Sequence, residues 1–158
     1  MKQYKNRNEV EEKYKWDLSE YYKNDDEFFA SYKKLDKELD ILKEYVGCTI
    51  DADKLYDYLE KETNFDAEIE KIYIYAAIRN DEVLGQEVPL DMLNKASLLI
   101  TKFSNLTAFF NPELLKLTSA SYEQLFTLNK KLKDYKPYLD DIYRYKDHVL
   151  NEEEEKIV

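Results

Sequence analysis

Two glycines and three prolines in 158 residues leave this chain little means of making tight turns. An all-β domain needs a turn every few residues, and those turns draw on Gly, Pro and Asn. Long uninterrupted helices need almost none. The chain length suits one domain with a real core. Hydrophobic residues at 44% and aromatics at 15% can fill one. The expected fold class is therefore all-α: a bundle of long antiparallel helices followed by shorter C-terminal helices. Charged residues, 37% of the chain, fall at helix-surface spacings and read as solvated faces.

Apolar spacing and caps divide the chain. Residues 1–16 show weak periodicity and predict an extended or frayed arm anchored by Trp16, and Asp17 can cap a short turn through Glu20. Asn24 is a good N-cap, with Glu27 in capping-box position. Phe28, Tyr32, Leu35, Leu39, Leu42 and Val46 then recur at spacings of four and three, the mark of an amphipathic α-helix. Gly47 ends it. One α-helix of roughly 33 Å follows from the usual rise per residue.

Asp51 opens a second long helix through Leu55, Leu59, Phe65, Ile69, Ile72 and Ala76, with a possible break near Asn64. Ile74, Tyr75 and Ile78 make its second half apolar over most of its circumference. Asn80 to Pro89 is expected to be a loop. A third long helix begins near Pro89 with the stripe Met92, Ala96, Leu99, Phe103, Leu106 and Phe110, widened by Leu93, Leu98 and Ile100. Pro112 is expected to exclude Asn111 from helix, leaving Glu113–Leu117 as a turn. Ser121 and Gln124 suggest a capping box for a short helix through Leu128. Pro137 starts another, containing Leu139, Ile142, Tyr143 and Val149.

At the C-terminus Asn151 is an N-cap, and Glu152 to Glu155 favour the positive end of a helix dipole. Ile157 and Val158 follow. Nucleating a helix costs more than one turn returns, so a continuation beyond Val158 is expected. A short terminal helix docking through Ile157 and Val158 is the alternative. The expected organisation is an arm, 1–16, a helical domain, 17–150, and the start of a further helix, 151–158.

The chemistry is bounded by scarcity. A zinc centre commonly uses three His, Cys or carboxylate ligands. This chain has only Cys48 and His148 besides its carboxylates. No Glu-x-x-His pair supports a di-iron bundle, because Tyr145 stands at that offset. Gly-x-Ser-x-Gly and phosphate loops need glycines the chain lacks. Asp51-Ala52-Asp53 resembles the start of a calcium loop but lacks its Gly and final Glu. No catalytic, cofactor-binding or metal residue is assigned. Net charge −10 argues against nucleic acid or an acidic membrane as partner. The first residues contain no signal-type apolar run, and one cysteine cannot form an internal disulfide, so a cytoplasmic location is expected. The 15 tyrosines are unusual. Tyr73 and Tyr75, and Tyr135, Tyr138, Tyr143 and Tyr145, either line a peptide-facing surface or serve ordinary packing.

Four stretches, in order, resemble the oligoendopeptidase F branch of the thimet-oligopeptidase-like zinc peptidases. They are Tyr14-Lys15-Trp16-Asp17-Leu18, Glu70-Lys71-Ile72-Tyr73-Ile74-Tyr75-Ala76, Phe109-Phe110-Asn111-Pro112-Glu113-Leu114-Leu115, and His148-Val149-Leu150-Asn151-Glu152-Glu153-Glu154-Glu155. Members are several times longer and carry His-Glu-x-x-His with a distant Glu on zinc. None of those residues lies in this chain. The resemblance therefore implies an N-terminal helical domain of a cytosolic oligoendopeptidase, inactive alone. It would pack on a catalytic domain of the same polypeptide and restrict access to short peptides. Zinc is implied only for that longer parent. A free-standing helical interaction or adaptor module, using the Phe28–Val46 stripe as a pairing seam, is the alternative. Missing a partner, the second or third long helix should expose an apolar patch.

Overall fold

The computed structural model describes residues 9–83 and 85–148. The expectations for Val149, the Asn151 cap, Glu152–Glu155, Ile157 and Val158 lie outside them, as do residues 1–8 of the arm. The fold is all-α, with no strand among the described residues. Among the described residues six α-helices occur in order: α1 (Asp25–Glu38), α2 (Ala52–Glu82), α3 (Glu87–Thr107), α4 (Phe110–Lys116), α5 (Ser119–Leu128) and α6 (Lys136–Tyr143). Short 3₁₀ segments lie before, between and after them. The described residues fall into two compact units, one within 1–40 and 64–105, the other within 41–63 and 106–158.

In the first unit, the Asn24 side chain accepts from Glu27 N at 3.0 Å, capping α1. The Glu27 carboxylate reaches one residue further back than a capping box requires and accepts from Lys23 N at 2.8 Å. Asp17 accepts from Ser19 N at 2.9 Å in the expected turn. Trp16 is no anchor: it is 63% exposed. Tyr22, Phe28 and Tyr75 form an aromatic triangle, with ring centroids 5.1, 5.6 and 5.9 Å apart. Leu35, Ile69, Ile72, Ala76, Met92, Ala96 and Leu99 complete a buried apolar set.

The expected single helix over the Phe28–Val46 stripe is two elements. α1 ends at Glu38, and Leu39–Tyr45 winds as a 3₁₀ helix. Residues three apart eclipse in a 3₁₀ helix. Leu39, Leu42, Tyr45 and Cys48 accordingly are buried at steps of three, while Val46 is 57% exposed. Gly47 supplies the reversal at φ 82°, in the left-handed region. Its N–H is held by the Glu113 carboxylate at 2.9 and 3.0 Å, within the second unit.

Asp51 Oδ1 accepts from Asp53 N and Lys54 N at 3.0 and 3.1 Å, so this residue caps α2. No break occurs at Asn64; α2 is continuous for 31 residues, about 46 Å at the helical rise. The expected loop from Asn80 to Pro89 shrinks. α2 runs through Glu82, α3 starts at Glu87, and Gly85 turns the chain at φ 84°. Pro89 and Pro112 both sit in the first turn of a helix, where a missing N–H forfeits no intrahelical bond. Asn111, which Pro112 was expected to exclude from helix, is therefore helical within α4, and Glu113 to Lys116, expected as a turn, continue that helix. Thr118, three residues before Ser121, caps α5 by accepting from Ser121 N at 3.2 Å. Pro137 lies in the first turn of α6, as its sequence position predicts.

The second unit is centred on Tyr58, fully buried, with Phe110 at 4.8 Å, Phe109 at 5.5 Å and Tyr45 at 5.8 Å between ring centroids. Tyr122 stacks parallel on Tyr143 at 4.1 Å. Leu55, Leu59, Leu114, Leu132 and Leu139 are buried with them.

Candidate functional site

Each unit carries a cleft near candidates from the sequence. The first lies at the start of α1 and has a volume of about 570 Å³, lined by Trp16, Asp17, Tyr22, Asp25, Tyr75 and Arg79 among others. On α2, Tyr75 and Arg79 are four apart and so share a face. Arg79 grips Asp25 with two parallel bonds: Nε donates to Oδ1 at 3.1 Å and Nη2 to Oδ2 at 2.9 Å. Its Nη1 donates to Glu82 at 3.1 Å, and Tyr75 OH donates to Asp25 Oδ1 at 2.9 Å.

The Arg79 hydrogen bonds hold the Asp25 carboxyl below the usual carboxylate range, against some burial. Burial, then the bond to Asp25, pushes the Tyr75 hydroxyl up. Neither group can exchange a proton near neutrality, so the cluster is a clamp and not an acid–base pair. Sequence reasoning missed it. The signal available was Arg79 itself. Arg7, Arg79 and Arg144 are the arginines of a Lys-rich chain, and a planar fork suits bidentate pairing where an ammonium does not.

The second cleft, about 420 Å³, is lined by Asn111, Leu115, Tyr138, Asp141, Ile142, Arg144 and Tyr145. The expected tyrosine surface therefore separates into two roles. Tyr138 and Tyr145, 43% and 52% exposed, come together in this groove. Arg144 lies 5.3 Å from the Tyr145 ring and pairs with Asp141 at 3.3 Å. Tyr135 instead donates to Glu60, and Tyr143 donates to the Leu117 carbonyl at 2.8 Å. Tyr75 belongs to the clamp. Tyr73 is exposed at the α2 surface.

Cys48 is fully buried, and burial, then Glu113, pushes its thiol up to about 12. It offers no thiolate at neutral pH. His148 ends the 3₁₀ helix Arg144–His148. Among the described residues, no group of three or more His, Cys, Asp or Glu side chains could hold a metal ion. These side chains do not make a zinc centre. No helix among them is long and apolar enough to cross a membrane.

The family profile described as oligopeptidase F matches residues 113–158. The whole chain aligns with the plasmid oligoendopeptidase F of Lactococcus lactis subsp. cremoris at 34% identity, over 98% of this chain and 26% of the relative. Group B oligopeptidase PepB of Streptococcus agalactiae aligns at 30%, over 97% and 26%. The chain belongs to the oligoendopeptidase F family. It corresponds to the N-terminal domain of such a peptidase and spans about a quarter of the length of these relatives. A crystal structure from Chlamydophila abortus, described as a candidate peptidase, superposes with a TM-score of 0.83 at 22% identity, over 98% of this chain and 26% of that one. At that identity the likeness concerns the fold alone. The Tyr138–Tyr145 groove falls almost wholly within the residues that match the oligopeptidase F profile.

Proposed function

We propose that this chain is the non-catalytic helical front of a longer, cytoplasmic, zinc-dependent oligoendopeptidase, where it packs on the catalytic domain and restricts access to short peptides. One observation carries this reading: a match along 98% of the chain that occupies only 26% of the relative. The missing three quarters would supply the zinc ligands and the base that activates a metal-bound water. The buried, protonated Cys48 accords with a protein that needs no disulfide. Within this reading, residues 17–150 act as the helical domain and 151–158 begin a helix toward the catalytic part.

The alternative of a free-standing interaction module drew on the Phe28–Val46 stripe as a pairing seam. Phe28, Leu35, Leu39 and Leu42 are buried within the chain itself, so that seam is already occupied.

The test is to follow the reading frame past the Val158 codon and assay both products with an internally quenched short peptide. The long protein should cleave it and lose activity to a zinc chelator. The 158-residue chain should not cleave it. A stop codon after Val158, or chelator-sensitive cleavage by the short chain, would overturn the reading.

A further inference from the structure

The 3₁₀ winding of Leu39–Tyr45 calls for an external cause. Such runs seldom exceed three or four residues, because their hydrogen bonds are poorly aligned, yet this one holds seven. The apolar pattern does not demand it. An α-helix continued from α1 at ~100° per residue would bring Val46 into line with Leu35, Leu39 and Leu42, all three of them buried. Leu39 and Leu42 serve either winding. The two windings differ at Val46, which is exposed, and at Tyr45 and Cys48, which are buried.

The change of winding coincides with one side chain. Leu39 N–H still donates to the Leu35 carbonyl, four residues back. The next carbonyl in the series, that of Asp36, accepts from the ammonium of Lys102, a half-buried residue of α3. The same ammonium lies 3.0 Å from Asp36 Oδ1 and 3.6 Å from Asp40 Oδ1, so it spans the end of α1 and the start of the 3₁₀ turn. A cation on a carbonyl of a last helical turn is also favoured by the helix dipole. The far end of the segment is fixed separately, by the Glu113 carboxylate on the Gly47 N–H. Lys102 stands where α-bonding stops, and Glu113 where the chain reverses.

We infer that residues 39–48 are a two-register element and that the Lys102 ammonium selects the register. With the charge in place, α1 stops at Glu38 and Tyr45 and Cys48 lie inside. Without it the Asp36 carbonyl is open to the Asp40 N–H, its partner in an α-helix. The α-helix then runs on through Val46 and turns that side chain inward. Seven residues shorten by about 3.5 Å when the 3₁₀ rise becomes the α rise. That shortening draws Gly47 off Glu113 and Cys48 out of its buried seat. Neutralising one amine thus exchanges one buried set for another, which is a switch between two packings and not a loosening. The inference goes beyond the proposed function and stands or falls independently of it.

Thiol labelling of the full 158-residue chain tests this with two reporters. One is Cys48, the chain's single cysteine. The other is Val46→Cys in a Cys48→Ser background. With Lys102 present, Cys48 should label slowly and the thiol at position 46 fast. Lys102→Met keeps the stem and removes the charge, and it should invert the order. Cys48 should label faster by roughly tenfold or more, on the scale of one charge-assisted hydrogen bond, and position 46 should slow by a similar factor. The milder Lys102→Gln should move both rates in the same directions, whereas Lys102→Arg, which keeps the charge, should retain the wild-type order. Protection of position 46 is the decisive reading, because loosening or unfolding can only expose it. Unchanged rates in both neutral variants would overturn the inference, and so would faster labelling at both positions.

Discussion

Asp25 and Arg79 lie 54 residues apart, yet their pairing shapes the start of α1. The folded carboxyl titrates below its unfolded value of ~3.9, chiefly because Arg79 donates to it. Its contribution is thus present at pH above the unfolded value and is lost as pH falls through the folded one. Asp25→Asn should cost about 1–2 kcal/mol at pH 7, in the range for a charged hydrogen bond. The gap between variant and wild type should shrink below about pH 4. Thermal unfolding followed from pH 7 to 2.5 checks this, and a gap independent of pH would contradict the clamp. Cys48, fully buried with its thiol pushed up to about 12, should resist a thiol reagent at pH 8 in the native chain and react stoichiometrically in denaturant. Rapid native labelling would contradict its burial. The caps at Asn24 and Asp51 were legible in sequence because a cap needs only its next few residues. The Asp25–Arg79 clamp was not, because nothing local links its members.

The segment from Leu39 to Cys48 shows how an element can satisfy two patterns. Leu39 and Leu42 fit both an α stripe and a 3₁₀ stripe. The two patterns part company afterwards, one burying Val46 and the other Tyr45 and Cys48. The structure takes the second. Leu42→Ala should cost about 2–5 kcal/mol, as truncation of a buried leucine does, whereas Val46→Ala should stay within about 0.5 kcal/mol. Urea unfolding of the two variants decides between the windings, since a continuous α-helix would make Val46→Ala costly as well. The prolines make a related point. A proline was expected to end a helix at Asn111, but Pro112 instead occupies the first turn of α4, where its missing N–H costs nothing. Sequence marks a proline as a boundary without saying on which side of it the helix lies.

At the scale of the molecule, the described residues hold no metal cluster, while the family reading places zinc beyond them. Exhaustive dialysis of the 158-residue chain against a chelator should therefore leave its melting temperature unchanged. A drop of several degrees would reveal a structural metal. On α3 Leu90, Leu98 and Ile100 are exposed, but Leu98 and Ile100 stand on different sides of the helix at ~100° per residue. What the sequence determined by itself was the all-α class, the helix starts at Asn24, Asp51 and Pro137, and the reversal at Gly47. Each depends on interactions spanning a turn or two, and so on neighbours that any stretch of chain carries with it. The tertiary structure alone decided which side of the Leu39–Cys48 segment is buried, that Arg79 closes on Asp25, and which tyrosines meet in the Tyr138–Tyr145 groove. Those outcomes turn on residues brought together from distant parts of the chain, where burial and pairing outweigh the small local preferences that periodicity can reveal.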